Sequence, residues 1–277
     1  MGSRQPRVVD LTADSDGSAV EVIDLSDVAD GAAAAKPRKR RRELGLDGSA
    51  DTGVPGLRLV FGAVTPDEEA AFLVAIAADT TRVPQVGNVH PAEQWGWRWG
   101  AGGGLGWGGP RADGLRLREH DRLAPIPRWV RDVLRRVEEA DVERRFLPPP
   151  DVYQPGCVNH ALLNRYPPGD GVTFHTDDKH TWTGFVLGLS LGSATTMLFR
   201  ANPRAAPVPV RLPARSLYVL TGPARWQWQH AVAHALEDVV EGVSVPRRYR
   251  ASVTLRTIPP HVLPMTRGEG AGREESS

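Results

Sequence analysis

Short apolar segments separated by glycine- and proline-rich turns fill the chain from Asn159 to Ile258, and this pattern limits the fold more than any other feature. The chain has 277 residues, among them 29 glycines and 24 prolines. Many short strands joined by such turns are typical of antiparallel architectures built from two sheets. The pattern therefore predicts a jelly roll in the second half of the chain.

Two helices are predicted ahead of these strands. The segment Thr65-Pro66-Asp67-Glu68 carries the N-cap, the proline and the glutamate of a capping box. Apolar residues recur at helical spacing from Ile126 to Val137, which indicates an amphipathic helix packed on a sheet. We predict an α+β fold that is mainly β, with a double-stranded β-helix (jelly roll) core and N-terminal helices packed on the major sheet.

The stretch from Asn164 to Asp177 ends in the triplet His175-Thr176-Asp177. Side chains two positions apart on a strand point to the same side, so an imidazole and a carboxylate would share one face. Two histidines and one carboxylate on one face, with open positions beside them, suit non-haem Fe(II). The triplet alone is also compatible with a solvated aspartate beside a surface histidine, and a third ligand is needed.

His230 is the best candidate for that third ligand. An apolar, strand-like run ends at Leu220, the turn residues Gly222-Pro223 follow, and a second strand would then carry His230 back toward the first two candidates. His234 is the competitor. It precedes a stretch rich in acidic residues, which favours a surface position.

Two arginines mark a predicted strand near the end of the chain. Arg250 and Arg256 flank the alternating segment Ala251 to Leu255. Because they are six positions apart they have the same parity and face the same side. Two inward guanidinium groups are costly unless an anion meets them, and a dicarboxylate would do so through bidentate pairing.

Together these motifs resemble the AlkB family of Fe(II)- and 2-oxoglutarate-dependent dioxygenases. The family pattern combines N-x-Y-x-x-G, H-x-D, a distal histidine and R-x5-R. In this chain it is matched, in order, by Asn164, Tyr166, Gly169, His175, Asp177, His230, Arg250 and Arg256. The segment 189–192 also looks like the family's Ser-Leu-Gly strand. The resemblance covers the chain from about Pro55 to Pro259.

The resemblance implies cofactors, roles and a reaction. Fe(II) would be held by His175, Asp177 and His230. The co-substrate 2-oxoglutarate would be bound by Asn164, Tyr166, Arg250 and Arg256, and O2 would be the second co-substrate. The expected reaction is oxidative demethylation of N-alkylated bases in DNA or RNA. Alternatives are an AlkB-like demethylase or hydroxylase acting on protein lysine or on modified transfer RNA, and a non-catalytic jelly-roll scaffold that recruits SUMO partners.

Lys179 is a departure from part of this family. It stands two residues beyond Asp177, where some nucleic-acid-repair relatives carry an acid that contacts the substrate base. The segment Asp178-Lys179-His180, with Trp182, looks more like the branches acting on transfer RNA or on protein lysine. Repair of alkylated DNA is therefore not assured by the motif set.

A tryptophan-rich segment lies where AlkB-like proteins carry their variable substrate-recognition region. Trp95, Trp97 and Trp99, with Arg98, could form a lid whose rings stack on a flipped base while the arginine contacts phosphate. The competing interpretation is ordinary core packing of the tryptophans. We predict substrate contacts from all four residues and keep the core alternative open.

The first part of the chain has the composition of a disordered tail. We divide the chain into a tail (residues 1–54), an AlkB-like dioxygenase domain (55–262) and a flexible C-terminal tail (263–277). Residues 8–12 and 20–26 resemble SUMO-interacting motifs, which act by strand addition to a sheet edge. The basic run 36–42 is typical of a nuclear localisation signal. SUMO or sumoylated proteins are therefore expected partners. The expected location is the nucleus, with the cytoplasm as an additional one.

Composition limits the remaining classes. Cys157 is the one cysteine, so no disulfide can form within the chain, as is usual in a reducing compartment. No apolar run is long enough for a membrane span, so no membrane partner is expected. The net charge is only +1. Methylated nucleic acid, the expected substrate, must therefore be recognised through a local patch rather than through the overall charge.

Overall fold

Two facing antiparallel sheets, with helices on the outer side of the larger one, make up the folded chain. The structure is a computed structural model and describes residues 47–49, 51–84, 92–99, 117, 121–148 and 157–263. The predicted SUMO-type motifs at 8–12 and 20–26, the basic run 36–42 and nearly all of the predicted C-terminal tail lie outside the described residues.

In chain order the strands are β1 (Asp47–Ser49), β2 (Leu57–Phe61), β3 (Val83–Pro84), β4 (Ala92–Trp95), β5 (His160–Tyr166), β6 (Val172–His175), β7 (Thr183–Gly192), β8 (Thr195–Arg200), β9 (Val208–Leu212), β10 (Ser216–Leu220), β11 (Gln229–Val232), β12 (Glu237–Val240), β13 (Val243–Pro246) and β14 (Arg250–Thr257). The helices are α1 (Pro66–Ala78), α2 (Arg128–Ala140) and the short α3 (Gly222–Trp226), with a 3₁₀ turn at Pro260–Val262.

The strands form a large sheet, a small sheet and a separate hairpin. Within the described residues the large sheet has the order β1-β2-β10-β7-β14-β5-β4-β3, and the small sheet has the order β6-β11-β8-β9. β12 and β13 pair only with each other. Apolar residues of both sheets meet between them, among them Val186, Tyr218, Met197 and Phe199. This arrangement confirms the predicted jelly-roll core.

The two long helices cover the other face of the large sheet, as predicted. Val130, Val133 and Val137 of α2 belong to the same buried cluster as Leu189 and Val253 of the sheet. The two helices also contact each other, because the rings of Phe72 and Trp129 stack with centroids 4.4 Å apart. The large sheet is therefore buried on both faces around β7 and β14.

The predicted start of α1 is confirmed in detail. The Thr65 hydroxyl accepts a hydrogen bond from the backbone N–H of Glu68 at 3.2 Å, and the Glu68 carboxylate accepts one from the backbone N–H of Thr65 at 2.8 Å. Such an N-cap typically stabilises a helix by about 1 kcal/mol. The sequence therefore determines this helix end by local chemistry alone.

The folded part begins upstream of residue 55, where the sequence analysis placed the domain boundary. β1 pairs antiparallel with β2, and Val54 is buried. Gly48 makes this pairing possible, because a Cβ atom at that position would lie 2.2 Å from the carbonyl oxygen of Leu59. The strand Asp47–Ser49 has no apolar alternation, so strand periodicity could not reveal it.

Candidate active site

The two candidate histidines face each other across neighbouring strands of the small sheet. His175, at the end of β6, is the register partner of His230 in β11. Their ring centroids are 4.4 Å apart. His234 lies two residues beyond the end of β11 and is exposed. The structure therefore brings His230, and not His234, next to His175.

Asp177 lies just beyond β6 and is buried beside His230. One of its carboxylate oxygens accepts a hydrogen bond from Nη2 of Arg256, and the other lies 3.8 Å from Nε2 of His230. Although burial alone would raise it, the pKa of the Asp177 carboxyl is held well below its usual range by the Arg256 guanidinium. Asp177 is therefore an anion at neutral pH.

Both histidines are in a state that suits metal binding. Burial, together with the nearby His175, lowers the pKa of His230 to about 3, so its imidazole is neutral at physiological pH. Nδ1 of His175 lies 2.8 Å from the carbonyl oxygen of Thr173. That contact orients the ring and leaves Nε2 of His175 for another partner.

The three side chains are close together but do not yet form a closed metal site. In the described ranges, no three His, Cys, Asp or Glu side chains stand close enough together to hold a metal ion. The donor set itself fits Fe(II), since it comprises two imidazoles from register partners on β6 and β11 and one carboxylate two residues after His175.

The two arginines of β14 both face this interior, as their parity predicts. Arg256 reaches Asp177, and Nε of Arg250 donates a hydrogen bond to the Ser190 hydroxyl at 2.9 Å. Nε and Nη1 of Arg256 are buried and have no hydrogen-bond partner within the described part of the chain. Unpaired buried donors beside a candidate metal site fit a carboxylate ligand such as 2-oxoglutarate.

Asn164 and Tyr166 lie opposite these arginines on β5. Tyr166 is the register partner of Arg250, and Asn164 is the partner of Ser252. Tyr166 and Asn164 therefore have the same parity as the two arginines and face the same interior. The Arg250 guanidinium lies 5.1 Å from the Tyr166 ring centroid. Burial raises the pKa of the Tyr166 hydroxyl to about 12, which keeps it a neutral hydrogen-bond donor.

A cavity opens beside Arg250. It is small, with a volume of about 10 Å³, and its lining includes Tyr166, Arg250, Thr195 and Val232 together with the more exposed Arg248. Val232 lies two residues after His230 on the same strand and faces the same interior. The cavity is therefore next to the candidate 2-oxoglutarate-binding residues.

Trp95 does not belong to this face, which corrects its predicted role in substrate binding. It is 1% exposed, packs with the helices on the other side of the large sheet, and donates a hydrogen bond from Nε1 to Asp79 at 2.8 Å. Gly96 follows directly with a φ of +85°, and Trp99 beyond it belongs to a different buried cluster from Trp95. For this residue the core alternative is the one the structure supports.

Trp97, Arg98 and Trp99 follow that turn. Trp97 and Arg98 are partly exposed, and Arg122 lies over the Trp97 ring at 5.8 Å. Trp99 is buried next to Trp182, and the Arg256 guanidinium lies 5.7 Å from its ring centroid. Trp97 packs against the buried cluster that contains Trp99 while part of its ring stays exposed, and Trp99 itself lies beside Arg256.

Several residues near the site were not singled out by the sequence analysis. Arg225 is 1% exposed and donates hydrogen bonds to backbone carbonyl oxygens of the loop that holds Asp177. His160 is fully buried, its ring lies 4.5 Å from that of Trp182, and its Nε2 lies 3.2 Å from Oε1 of Gln94. Of these site residues, Ser190 is the one that the sequence could mark, because it is a polar residue inside an otherwise apolar strand.

A family model connects this geometry with known proteins. The model described as the 2OG-Fe(II) oxygenase superfamily matches residues 60–256. The chain belongs to this superfamily. It is an Fe(II)- and 2-oxoglutarate-dependent dioxygenase whose cofactor and co-substrates are Fe(II), 2-oxoglutarate and O2. This result confirms the enzyme class that the resemblance implied.

Similar proteins include members of the AlkB family, which confirms that resemblance. The chain is 30% identical over 156 residues to an uncharacterized protein of Acanthamoeba polyphaga mimivirus, covering 47% of this chain and 73% of that protein. It is 28% identical over 192 residues to tRNA (carboxymethyluridine(34)-5-O)-methyltransferase alkbh8 of Xenopus tropicalis, covering 68% of this chain and 26% of that protein. It is 31% identical over 125 residues to RNA demethylase ALKBH5 of Xenopus laevis, covering 42% and 32%. The chain thus spans only a quarter to a third of the two named enzymes.

The fold is shared with a solved structure of the same family. OsALKBH1 superposes with a TM-score of 0.50 at 17% sequence identity, covering 73% of this chain and 97% of that protein. At this identity the likeness shows the fold alone.

None of the helices in the described ranges has the length and apolarity of a membrane span.

Proposed function

We propose that this dioxygenase catalyses oxidative demethylation of an N-methylated base in nucleic acid. The observation that carries the proposal is the hydrogen bond from Arg256 to Asp177, which lies beside His230. Arg250 faces the same interior. Candidate metal ligands and candidate dicarboxylate-binding arginines are thereby combined in one buried site. Nucleic acid is supported as the substrate class because relatives are named as an RNA demethylase and a transfer RNA methyltransferase.

In this proposal each residue group has a separate task. His175, Asp177 and His230 would hold Fe(II), which with 2-oxoglutarate and O2 would supply the oxidation of an N-methyl group on the substrate. Arg250 and Tyr166 bind the distal carboxylate of 2-oxoglutarate. The Arg250 guanidinium offers a planar fork that a lysine cannot supply.

The remaining residues tune and complete the site. Arg256 keeps Asp177 ionised and presents its free donors to the co-substrate, and Asn164 lines the same face. The buried position of these groups excludes water, which strengthens every charge interaction within the site. Trp97 and Arg98 contact the nucleic acid, the ring by stacking and the guanidinium at phosphate.

RNA is expected ahead of DNA because the relatives include an RNA demethylase and a transfer RNA methyltransferase, and the loop after Asp177 is the part of the site that differs from some repair relatives. The Asp178 carboxylate accepts hydrogen bonds from the backbone N–H of His180 at 2.8 Å and from the Thr181 hydroxyl at 2.8 Å. The Asp178 carboxylate is thus occupied by hydrogen bonds within the turn, and the side chain of Lys179 is exposed. The loop therefore offers a substrate base a cation where some repair relatives offer an acid.

The proposal is tested by measuring released succinate and formaldehyde by mass spectrometry. The substrates are panels of methylated DNA, RNA, transfer RNA and lysine peptides. We expect formaldehyde release that depends on Fe(II) and 2-oxoglutarate, with RNA substrates ahead of DNA. Turnover restricted to methylated peptides would contradict a nucleic-acid substrate. Succinate formation without formaldehyde from any panel member would contradict demethylation.

We also propose that the N-terminal segment directs the enzyme to the nucleus and to SUMO. The aliphatic-acidic segments 8–12 and 20–26 are suited to pair with a sheet edge that has a basic rim. The dense basic run 36–42 suits an import receptor. These assignments rest on the sequence and are independent of the chemistry proposed above.

A further inference from the structure

Arg225 connects the two chain segments that carry the candidate metal ligands. It lies in α3, which leads within a few residues into β11 and His230. Its guanidinium reaches the loop between β6 and β7, where Asp177 lies. Nη1 donates to the carbonyl oxygen of Asp177 at 3.1 Å, and Nη2 donates to the carbonyl oxygens of Asp178 at 3.0 Å and of Trp182 at 2.9 Å.

These three acceptors lie at the two ends of one loop. Asp177 and Asp178 begin the loop and Trp182 ends it, directly before β7. A single side chain therefore closes the loop at its base. The loop has its own turn, in which Asp178 accepts from Thr181, but that contact does not anchor Asp177 to the rest of the fold.

The cost of burying Arg225 indicates a demanding role. The residue is 1% exposed, and burial lowers the pKa of its guanidinium. Burying a charge is unfavourable unless its hydrogen bonds are satisfied. Its hydrogen-bond partners are neutral carbonyl oxygens, and its Nε is buried with no partner in the described part of the chain. The nearby Asp177 and Asp178 carboxylates attract its charge, so the side chain is tied electrostatically as well as by hydrogen bonds to the loop that holds Asp177. The guanidinium also stacks 4.2 Å from the Trp226 ring centroid, which fixes its plane.

We propose that Arg225 is a positioning residue for the metal site, because it holds the backbone of Asp177 at a set distance from His230. The inference rests on the proposed roles of Asp177 and His230 as Fe(II) ligands. Arg225 does not touch the metal or the co-substrate in this scheme. It acts through the ligand backbone, in the way that hydrogen-bond partners of metal ligands elsewhere set ligand orientation and metal affinity.

The test measures Mn(II) affinity per folded molecule, by electron paramagnetic resonance of free Mn(II), alongside unfolding in urea. Arg225→Lys keeps the charge but cannot bind three carbonyl oxygens in one plane, and Arg225→Gln removes the charge. We expect both to weaken Mn(II) binding by about 10- to 100-fold, the usual effect of losing a group that orients a metal ligand. A changed Mn(II) spectrum in the bound state is also expected.

Arg82→Lys is the matched control. The Arg82 side chain is 4% exposed, pairs with Glu93 and donates hydrogen bonds to the carbonyl oxygen of Asp79, beside Trp95 on the helix side of the large sheet. We expect it to lower stability in urea without changing Mn(II) affinity.

Three outcomes would overturn the role of Arg225. These are Mn(II) affinity equal to wild type in both Arg225 variants, an equal loss of affinity in Arg82→Lys, and failure of both Arg225 variants to fold, which would make Arg225 a residue of the fold rather than of the site. If the wild-type protein itself does not bind Mn(II), the proposed ligand set fails instead. The two proposals can therefore be separated.

Discussion

Arg256 donates a hydrogen bond to Asp177, whose second carboxylate oxygen faces Nε2 of His230 at 3.8 Å. One arginine of the R-x5-R pair is thus in direct contact with a candidate metal ligand, while the other, Arg250, lies at the cavity beside Tyr166. The two arginines are therefore not equivalent. Arg256 acts on the ligand charge, and Arg250 is available to the far end of the co-substrate.

Removal of any one candidate ligand should abolish turnover. We expect His175→Ala, Asp177→Ala and His230→Ala each to eliminate formaldehyde release and to weaken Mn(II) binding, because each removes a donor from a three-residue set. His234→Ala is the control, since His234 is exposed and lies beyond β11. Loss of turnover in His234→Ala combined with normal turnover in His230→Ala would contradict the ligand assignment.

Substitution of Arg250 by lysine should weaken the use of 2-oxoglutarate even though the charge is kept. An ammonium group cannot form the bidentate fork, and a hydrogen bond to a charged group contributes about 1.5–3 kcal/mol. The Michaelis constant for 2-oxoglutarate should therefore rise by roughly ten- to a hundred-fold. Arg165→Lys, which has the opposite parity on β5 and pairs with Glu93, should leave it unchanged. An unaltered constant in Arg250→Lys would remove Arg250 from that role.

Replacement of Trp97 and of Trp95 by alanine should have opposite effects. Trp97→Ala should lower oligonucleotide affinity by roughly five- to a hundred-fold at fixed salt, since base stacking contributes about 1–3 kcal/mol. Trp95→Ala should leave affinity per folded molecule unchanged but lower the unfolding free energy by about 3–5 kcal/mol, because it empties a buried core position. Titration with a fluorescent oligonucleotide and urea unfolding measure the two quantities. Retained binding in Trp97→Ala would favour a protein substrate.

Acid should destabilise the metal-free protein through His160. Burial, followed by the neighbouring Arg256, lowers the pKa of His160 well below 6.5, so this residue is neutral in the folded state. The unfolded chain binds a proton as the pH falls below about 6.5, and the folded chain does not. The stability contributed by the neutral form is therefore present above that pH and lost below it. Between pH 7.5 and 5.5 this group should remove about 1.4 kcal/mol of unfolding free energy.

His160→Gln tests this assignment. Glutamine does not titrate, so the variant should lose that part of the pH dependence in urea unfolding at pH 7.5 and pH 5.5, whatever its absolute stability. An identical pH dependence in wild type and His160→Gln would show that other groups account for the effect.

Deletion of residues 1–41 should separate targeting from catalysis. We expect normal turnover on a small substrate, since β1 begins at Asp47 and would be retained. SUMO binding in a pull-down and nuclear accumulation of a fluorescent fusion should both be lost. A full-length protein that ignores SUMO would contradict the first assignment, and unchanged nuclear accumulation after deletion would contradict the second.

The sequence predicted those parts of the site that depend on local periodicity. The shared face of Arg250, Arg256, Asn164 and Tyr166 follows from strand alternation, which needs no knowledge of the neighbours. The capping box of α1 was predictable for the same reason. Such features are decided within a few residues of the chain.

Features that depend on chain crossings could not be predicted in this way. The contact between His160 and Gln94 joins residues 66 positions apart, and its existence depends on β4 lying beside β5. Arg225 meets Asp177 across 48 positions, through a helix of only five residues. Trp95 and Trp99 have the same parity in the sequence but belong to different buried clusters, and the left-handed Gly96 lies between them. No alternation or spacing rule contains that information.

The turn at Gly96 also affects how this enzyme can change over time. A Cβ atom there would lie 2.1 Å from the carbonyl oxygen of Asn159, so a larger residue would push β4 away from the start of β5. Upstream of the glycine, mutations are constrained by the packing of Trp95 between sheet and helices. Downstream of it, Trp97 and Arg98 are partly exposed and lie outside the cluster that holds Trp95. Mutations on the two sides of this glycine therefore meet different constraints: those upstream change the packing of the large sheet against the helices, and those downstream change the surface that carries the candidate substrate contacts.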